Sequence, residues 1–320
     1  MKTALVFPGQ GSQSVGMGKA LADEYSVARE VFARVDATLS ENLSRLMFEG
    51  PERELTLTAN AQPALMAASI AALRVLETEA GFDVSRRAAY VAGHSLGDYT
   101  ALCAAGSLTL EDTARLLRLR GEAMQKAVPV GKGAMAAIIG LDFGAVVKIA
   151  AQAASDLYLT GAICHAAIDN GGGQVVVSGT TPAVERASEL AKLAGAKRAL
   201  ILPVSAPFHC ALMKPAALVM KRALKGVKIL PPKPPLVANV DASAVVDPET
   251  IRSGLVGQMT GTVRWRESVA FMSARGVTRF IEVGTGKVLA GLIKRIAESA
   301  TAISIGTPAD IAAFTVSAEA

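Results

Sequence analysis

"VAGHSLGDYTAL", residues 91–102, places a serine between two glycines, directly after a short apolar run and before a helix-like segment. Gly93, Ser95 and Gly97 form the pattern G-x-S-x-G, which in a strand–turn–helix setting is a nucleophile elbow. Glycines suit such a turn because the strand and the helix crowd together around the serine backbone. The stretch therefore predicts an α/β core with Ser95 as a candidate nucleophile. An ordinary glycine-rich turn without a catalytic role could have the same G-x-S-x-G pattern.

Composition is typical of a globular protein: 51% of the 320 residues are hydrophobic, 19% are charged and 4% are aromatic. The apolar run at residues 4–7 is too short for a signal peptide, and the longer one at 64–76 contains Arg74 and falls short of a membrane span. Three scattered cysteines form no CxxC pair, so we expect neither disulfides nor a metal site. We therefore expect a cytoplasmic protein that does not associate with membranes.

The net charge of +5 raises the question of a nucleic-acid partner. The basic residues are dispersed among acids, with no arginine-rich arm, so we expect no nucleic-acid binding and favour an acidic protein partner or a phosphorylated substrate. Two clusters of basic residues could form either a solvent-exposed face without a partner or a docking surface for an acidic protein. They consist of Lys192, Lys197, Arg198, Lys287, Lys294 and Arg295.

Strand-like and helix-like segments alternate along the chain, as in an α/β sheet. Residues 131–199 change character and follow the order βαββαβ, which is a ferredoxin-like unit. We predict a hydrolase-like α/β core with a mostly parallel sheet, formed by residues 1–130 and 200–320. The small ferredoxin-like subdomain inserted at 131–199 is expected to form one wall of a cleft.

A serine nucleophile needs a base, and the chain has only three histidines: His94, His165 and His209. The elbow turns the His94 side chain away from Ser95, so we expect it to pack beside the site. His165 lies in the predicted insert. His209 follows a strand and lies in a loop at the predicted active-site edge of the sheet, so elimination favours it as the base.

Arg120 is predicted on the core-facing side of a helix that begins after Thr109, where Thr-Leu-Glu-Asp forms a capping box. A buried charge is costly unless it is paired. The pattern allows a structural salt bridge or a fork for the carboxylate of a ligand.

Two glycine-rich stretches could be mistaken for nucleotide sites. "GQGSQSVG" lacks the third glycine of a dinucleotide fingerprint, and "GTGKV" lacks the serine or threonine of a P-loop. We expect no cofactor.

Seven stretches occur in the order found in bacterial malonyl-CoA:acyl carrier protein transacylases of fatty-acid synthesis, which the chain resembles over nearly its whole length. They are FPGQGSQSVGMG (7–18), GHSLGDYTAL (93–102), RLRGEAMQ (118–125), GQVVVSG (173–179), LPVSAPFHCALMKPA (202–216), LVGQMTGTVRW (255–265) and EVGTGKVLAGLIKRI (282–296). The resemblance implies transfer of a malonyl group from malonyl-CoA to the phosphopantetheine thiol of acyl carrier protein, by a ping-pong mechanism.

The resemblance also implies roles for particular residues. Ser95 would carry the malonyl ester, His209 would take and return its proton, and the backbone carbonyl of Gln258 would orient His209. The backbone N–H groups of Gln10 and Leu96 would form the oxyanion hole.

Roles for further positions follow from the family. Arg120 would bind the free carboxylate of malonate, and Asn170 would line the pocket together with His94. Phe208, where serine is commoner, resembles the malonyl-selective pattern of polyketide acyltransferases, in which a bulky ring leaves little room for an α-methyl branch. Two loop prolines usual in the family are replaced here by Gly172 and Thr285.

Other functions remain open. A serine thioesterase or esterase would release free malonate, and the transacylase of a malonate decarboxylase system would use a different carrier. A non-catalytic carrier-binding module is disfavoured because a candidate nucleophile, base and arginine are all present.

Overall fold

The computed structural model describes residues 1–319 and their side chains as far as residue 316. The strands are β1 (Lys2–Phe7), β2 (Tyr90–Gly93), β3 (Gly133–Ile139), β4 (Cys164–Asp169), β5 (Gln174–Thr180), β6 (Arg198–Ile201), β7 (Leu236–Val237), β8 (Ala244–Val245), β9 (Val277–Val283) and β10 (Thr301–Ile305). The helices are α1 (Lys19–Glu24), α2 (Ser26–Leu39), α3 (Leu43–Glu49), α4 (Glu52–Leu55), α5 (Thr58–Glu79), α6 (Val84–Arg87), α7 (Gly97–Ala104), α8 (Leu110–Ala127), α9 (Phe143–Asp156), α10 (Thr181–Leu193), α11 (Lys214–Lys225), α12 (Pro248–Gly257), α13 (Trp265–Ala274), α14 (Val288–Ile296) and α15 (Pro308–Glu319).

The main sheet has six strands in the order β10-β9-β1-β2-β7-β8. All neighbours are parallel except β7 and β8, and Phe7 at the end of β1 lies beside Gly93 at the end of β2. The central strand β1 is apolar and fully buried from Ala4 to Phe7, as expected for a parallel sheet covered on both faces. The predicted α/β core with a mostly parallel sheet is confirmed.

The second sheet has four antiparallel strands in the order β4-β5-β3-β6, with α9 and α10 in the sequence between them. This is the predicted βαββαβ unit, and apolar residues of both helices pack with its strands in one separate core. The boundaries 131–199 stay a prediction. Because β6 pairs with β3 as far as Ile201, the pairing favours an end a little beyond residue 199.

Helix α5 lies at the centre of the main core, and most of its side chains are buried. It packs against α8, whose start is as predicted, because the Thr109 side chain accepts a hydrogen bond from the Asp112 N–H at 3.0 Å. Long as α5 is, no helix within residues 1–319 has both the length and the apolar character needed to cross a membrane. The α5–α8 pair fixes the position of Arg120 relative to the sheet.

The carboxyl ends of β1 and β2 approach α7 so closely that they leave no room for side chains. A Cβ atom on Gly93 would lie 1.8 Å from the carbonyl carbon of Gly97, and one on Gly97 would lie 2.4 Å from the carbonyl oxygen of Phe7. Real Cβ atoms essentially never come this near to backbone atoms, so the glycines of the motif are required by the packing of strand against helix.

We expect Gly93→Ala to lower the free energy of unfolding by about 3 kcal/mol or to prevent folding, because backbone on both sides must move to accept the methyl group. Denaturant unfolding followed by circular dichroism measures the change. Gly254→Ala in α12 is the matched control, since a Cβ there would have no heavy atom within 4 Å. Equal unfolding free energies for Gly93→Ala and the wild type would contradict the steric account.

Candidate active site

Ser95 and His209 both have strained backbones. Ser95, between β2 and α7, has φ 55°, and His209, in the loop between β6 and α11, has φ 58°. Only Ser40 and Ala242 share a positive φ among the other non-glycine residues that the structure describes. Such conformations cost of order 1–3 kcal/mol and cluster at functional sites.

The two side chains form a dyad. The Oγ of Ser95 lies 2.9 Å from Nε2 of His209, and Nδ1 of His209 lies 2.9 Å from the backbone carbonyl oxygen of Gln258. Because a carbonyl can only accept, Nδ1 carries the proton and Nε2 is left to accept the serine proton. A neutral carbonyl thus stands where a Ser-His-Asp triad has a carboxylate.

His209 is only 3% exposed. Burial, and after it the nearby positive charge of Arg120, lower the pKa of its imidazole to about 3. The imidazole is therefore neutral near pH 7, which is the form that can accept a proton.

Arg120 is 1% exposed and projects from α8 to the nucleophile. Its Nη1 donates to Oε1 of Gln62 at 2.8 Å, and its Nη2 donates to Oε1 of Gln258 at 2.8 Å and to Oγ of Ser95 at 3.1 Å. Burial lowers the pKa of the guanidinium from its usual value. Arg120 makes no ion pair with any residue up to 316, so the site holds a buried cation that is bound only by neutral groups.

Gln10 and Leu96 lie on either side of the nucleophile. Both line the same cleft as Ser95, and neither backbone N–H donates a hydrogen bond within the part of the chain that the structure describes. The Gln10 side chain is fixed by Thr58, whose hydroxyl donates to its Oε1 at 3.0 Å. Two free amides next to a nucleophile are what an oxyanion hole requires.

Two of the predicted pocket residues, His94 and Phe208, line the cleft. The Oδ1 of Asn170 lies 3.0 Å from the His94 Nε2, so Asn170 contacts a residue of the cleft wall. The role of Asn170 in the pocket stays a prediction. His165, the remaining histidine, is exposed on β4.

The cleft has a volume of about 450 Å³ and lies between the two sheets. One wall carries Ser95 and Arg120, and the other is apolar and includes Met135 of β3 and Ile168 of β4. Leu202 extends this wall just after β6. Such a cleft can hold a short polar group at its floor beside the nucleophile and a longer chain along its apolar wall.

Four polar side chains beneath the nucleophile were not identified from the sequence. They belong to Gln62, Asp98, Asn239 and Gln258. The Gln258 Nε2 donates to the Ser95 carbonyl oxygen at 3.0 Å and to Oδ2 of Asp98 at 2.8 Å. Burial raises the pKa of Asp98 to about 7. The sequence signal for Asp98 was weak, an acid on the apolar first turn after the elbow, and Asn239 gave none.

No group of three or more His, Cys, Asp or Glu side chains within the described residues is arranged to hold a metal ion. The polar groups of the cleft are suited to an anion beside Arg120 and to an oxyanion at the two free amides.

Comparison with known proteins gives consistent results. Residues 4–312 match the family model described as acyl transferase domain. The chain is 46% identical over 310 residues to the malonyl CoA-acyl carrier protein transacylase of Escherichia coli (strain K12), with 97% of each chain covered.

Solved structures agree. The acyl-carrier-protein-S-malonyltransferase of Bartonella henselae is 54% identical, with a TM-score of 0.95 and 100% of both chains covered. A malonyl-transacylase solved in complex with a type II PKS acyl-carrier protein is 42% identical, with a TM-score of 0.94, covering 99% of this chain and 100% of that one. Because the family model spans nearly the whole chain and the identities are far above 30%, the protein belongs to the acyl transferase domain family.

Proposed function

We propose that this protein transfers a malonyl group from malonyl-CoA to the phosphopantetheine thiol of an acyl carrier protein, through an ester on Ser95. The names of its relatives support the substrate and the acceptor. The observation that carries the proposal is the buried guanidinium of Arg120, whose Nη2 lies 3.1 Å from the Ser95 Oγ and which makes no ion pair with a carboxylate among residues 1–316.

Acylation begins when the Ser95 Oγ attacks the thioester carbonyl carbon of malonyl-CoA and gives its proton to Nε2 of His209. The carbonyl oxygen becomes an oxyanion that accepts hydrogen bonds from the N–H groups of Gln10 and Leu96. The carbon–sulfur bond then breaks, the imidazolium returns the proton to the leaving sulfur, and CoA departs.

Transfer reverses these steps with a different thiol. The carrier thiol gives its proton to the neutral His209, its sulfur attacks the ester carbon, and the ester bond breaks as Ser95 regains its proton. The backbone carbonyl of Gln258 holds the same His209 tautomer throughout. Both substrates supply their own reactive groups, so the proposed reaction requires no further cofactor.

Arg120 selects the acyl group. In a malonyl ester only the carbonyl carbon and one methylene separate Oγ from the free carboxylate, so the carboxylate reaches a guanidinium that already contacts Oγ. A planar guanidinium can bind that carboxylate through two parallel hydrogen bonds. Phe208 closes the cleft nearby, which favours malonyl over its α-methyl homologue.

The carrier is the expected protein partner. A relative was solved in complex with an acyl-carrier protein. None of the basic residues named above at 192–198 and 287–295 forms an ion pair within the described residues, which leaves them available to an acidic carrier. The cytoplasmic location stays a prediction.

A thioesterase or esterase would share the dyad but release free malonate. The relatives are named for transfer to acyl carrier protein, which favours transfer over hydrolysis and over a malonate decarboxylase partner. Release of free malonate at a rate comparable to transfer would favour the hydrolase.

We expect Ser95→Ala to abolish covalent labelling by radiolabelled malonyl-CoA, because no other hydroxyl is held at the elbow. His209→Ala should slow acylation by at least about 10³-fold, because the serine loses its base. Labelling is measured on quenched, denatured protein. Stable labelling of the Ser95→Ala protein would contradict the assignment of the nucleophile.

Arg120→Ala should lower kcat/KM for malonyl-CoA roughly 30- to several-thousand-fold, because a charge-assisted pair worth about 2–5 kcal/mol is lost. Acetyl-CoA has no carboxylate, so its poor kcat/KM should not fall and could rise. Arg118→Ala on the same helix is the control, since Arg118 bonds to Ala59 and Glu41 outside the cleft. An equal fall for both substrates in Arg120→Ala would mean that Arg120 only supports the fold.

The rate of acylation should stay nearly constant from pH 6 to pH 5. The base must be neutral, and because burial holds the pKa of His209 at about 3, it stays neutral over this range. The range lies below the pKa of about 7 of the buried Asp98, so that carboxyl stays almost fully protonated and adds little change of its own. An ordinary histidine with a pKa of about 6.5 would lose about 8-fold in rate between the same two pH values. Rapid-quench labelling at each pH measures the rate, with circular dichroism to check folding, and a fall of about that size would contradict the low pKa.

A further inference from the structure

Asn239 lies directly behind the nucleophile elbow. It follows β7 in the turn that leads to β8, and its side chain is fully buried. Its Oδ1 accepts a hydrogen bond from the Ser95 N–H at 2.7 Å, and its Nδ2 donates to the Gly93 carbonyl oxygen at 2.6 Å. One amide therefore joins the peptide groups on both sides of His94.

This bridge acts on the strained part of the chain. Ser95 has φ 55°, a conformation that a non-glycine residue keeps only when its surroundings hold it there. By fixing the Gly93 carbonyl relative to the Ser95 N–H, the bridge restricts φ and ψ of His94 and sets the peptide group that leads into Ser95. On the other side of Ser95, its carbonyl oxygen accepts from the Gln258 Nε2, so the peptide groups before and after Ser95 are both held and its own torsions are restricted between them. The direction of the Ser95 Oγ toward His209 depends on those torsions.

Asn239 is itself held from several directions. Its backbone N–H donates to Oδ2 of Asp98 at 3.2 Å, and its carbonyl oxygen accepts from the Arg264 N–H at 3.1 Å. The Gln258 Nε2, which also bonds to Asp98, lies 3.3 Å from the Asn239 Oδ1. The amide cannot turn without breaking several bonds in a buried region, so it is a rigid support.

We infer that Asn239 is a positioning residue for the nucleophile. It fixes the peptide group before Ser95 and, together with Gln258 on the peptide group after it, keeps Ser95 in its left-handed conformation with Oγ 2.9 Å from the His209 Nε2. Asn239 does not line the cleft, so it acts through the backbone around Ser95 and through its contact with the Gln258 side chain. This inference rests on the proposed function, since it assumes that Ser95 is the nucleophile.

Two variants test it. Asn239→Ala removes both hydrogen bonds, and Asn239→Asp keeps the acceptor for the Ser95 N–H but, when ionised, has no donor for the Gly93 carbonyl. We expect single-turnover acylation by malonyl-CoA to slow about 100-fold in Asn239→Ala, the loss typical of a misplaced reacting group, and to slow less in Asn239→Asp. The KM for malonyl-CoA and the malonyl-to-acetyl preference should change much less than the acylation rate, because Asn239 does not line the cleft and Arg120 bonds to Gln62 and Gln258 instead.

Ser107→Ala is the matched control for lost stability. Ser107 is equally buried and donates one hydrogen bond, to the Leu230 carbonyl, away from the cleft. Its loss should lower the unfolding temperature without changing the acylation rate per folded molecule. A purely structural role for Asn239 would give this same pattern.

The outcomes separate the two proposals. If wild-type protein is not labelled by malonyl-CoA, the proposed function fails. If wild type is labelled and a folded Asn239 variant acylates at the same rate per folded molecule, the inference about Asn239 is overturned. Should Asn239→Ala fail to fold, Asn239→Asp decides the question by the same measurement.

Discussion

The site depends on the close approach of β1, β2 and α7 at the elbow. Backbone atoms replace side chains at Gly93 and Gly97, and the turn between them forces Ser95 into a left-handed conformation. The same geometry leaves the Leu96 N–H free beside Ser95, because the first amides of a helix have no acceptor within it. A steric constraint thus accounts for both the position of the Ser95 hydroxyl and the free Leu96 N–H, which we propose as one donor for the oxyanion.

Beneath the serine, buried polar groups bond to one another without an ion pair among the described residues, and the Arg120 Nε and the Asp98 Oδ1 keep no hydrogen-bond partner there. Gln258 connects them: its backbone carbonyl accepts from His209, its Nε2 contacts the Ser95 carbonyl, and its Oε1 accepts from Arg120. Neutral amides stabilise a buried cation less than a carboxylate does, so Arg120 retains a large part of its interaction energy for an incoming anion. In the proposed reaction, the stability lost by burying this charge is returned when the acidic acyl group binds.

The low pKa of His209 follows from the same arrangement. Burial and the charge of Arg120 both disfavour the imidazolium, and a carbonyl at Nδ1 offsets this less than a carboxylate would.

The sequence by itself determined the fold class, the elbow, and the pairing of Ser95 with His209, because strand–turn–helix patterns and a shortage of histidines are local and countable signals. It also placed Arg120 on a buried helix face, since helical periodicity reveals burial. It did not find Asn239, Gln62 or the side-chain role of Gln258, which lie 58 to 163 residues from the groups they bond. Only the tertiary structure decided those contacts and the contact of Asn170 with His94. Hydrogen bonds between distant segments depend on how the sheets and helices pack, and they produce no periodic pattern in the sequence.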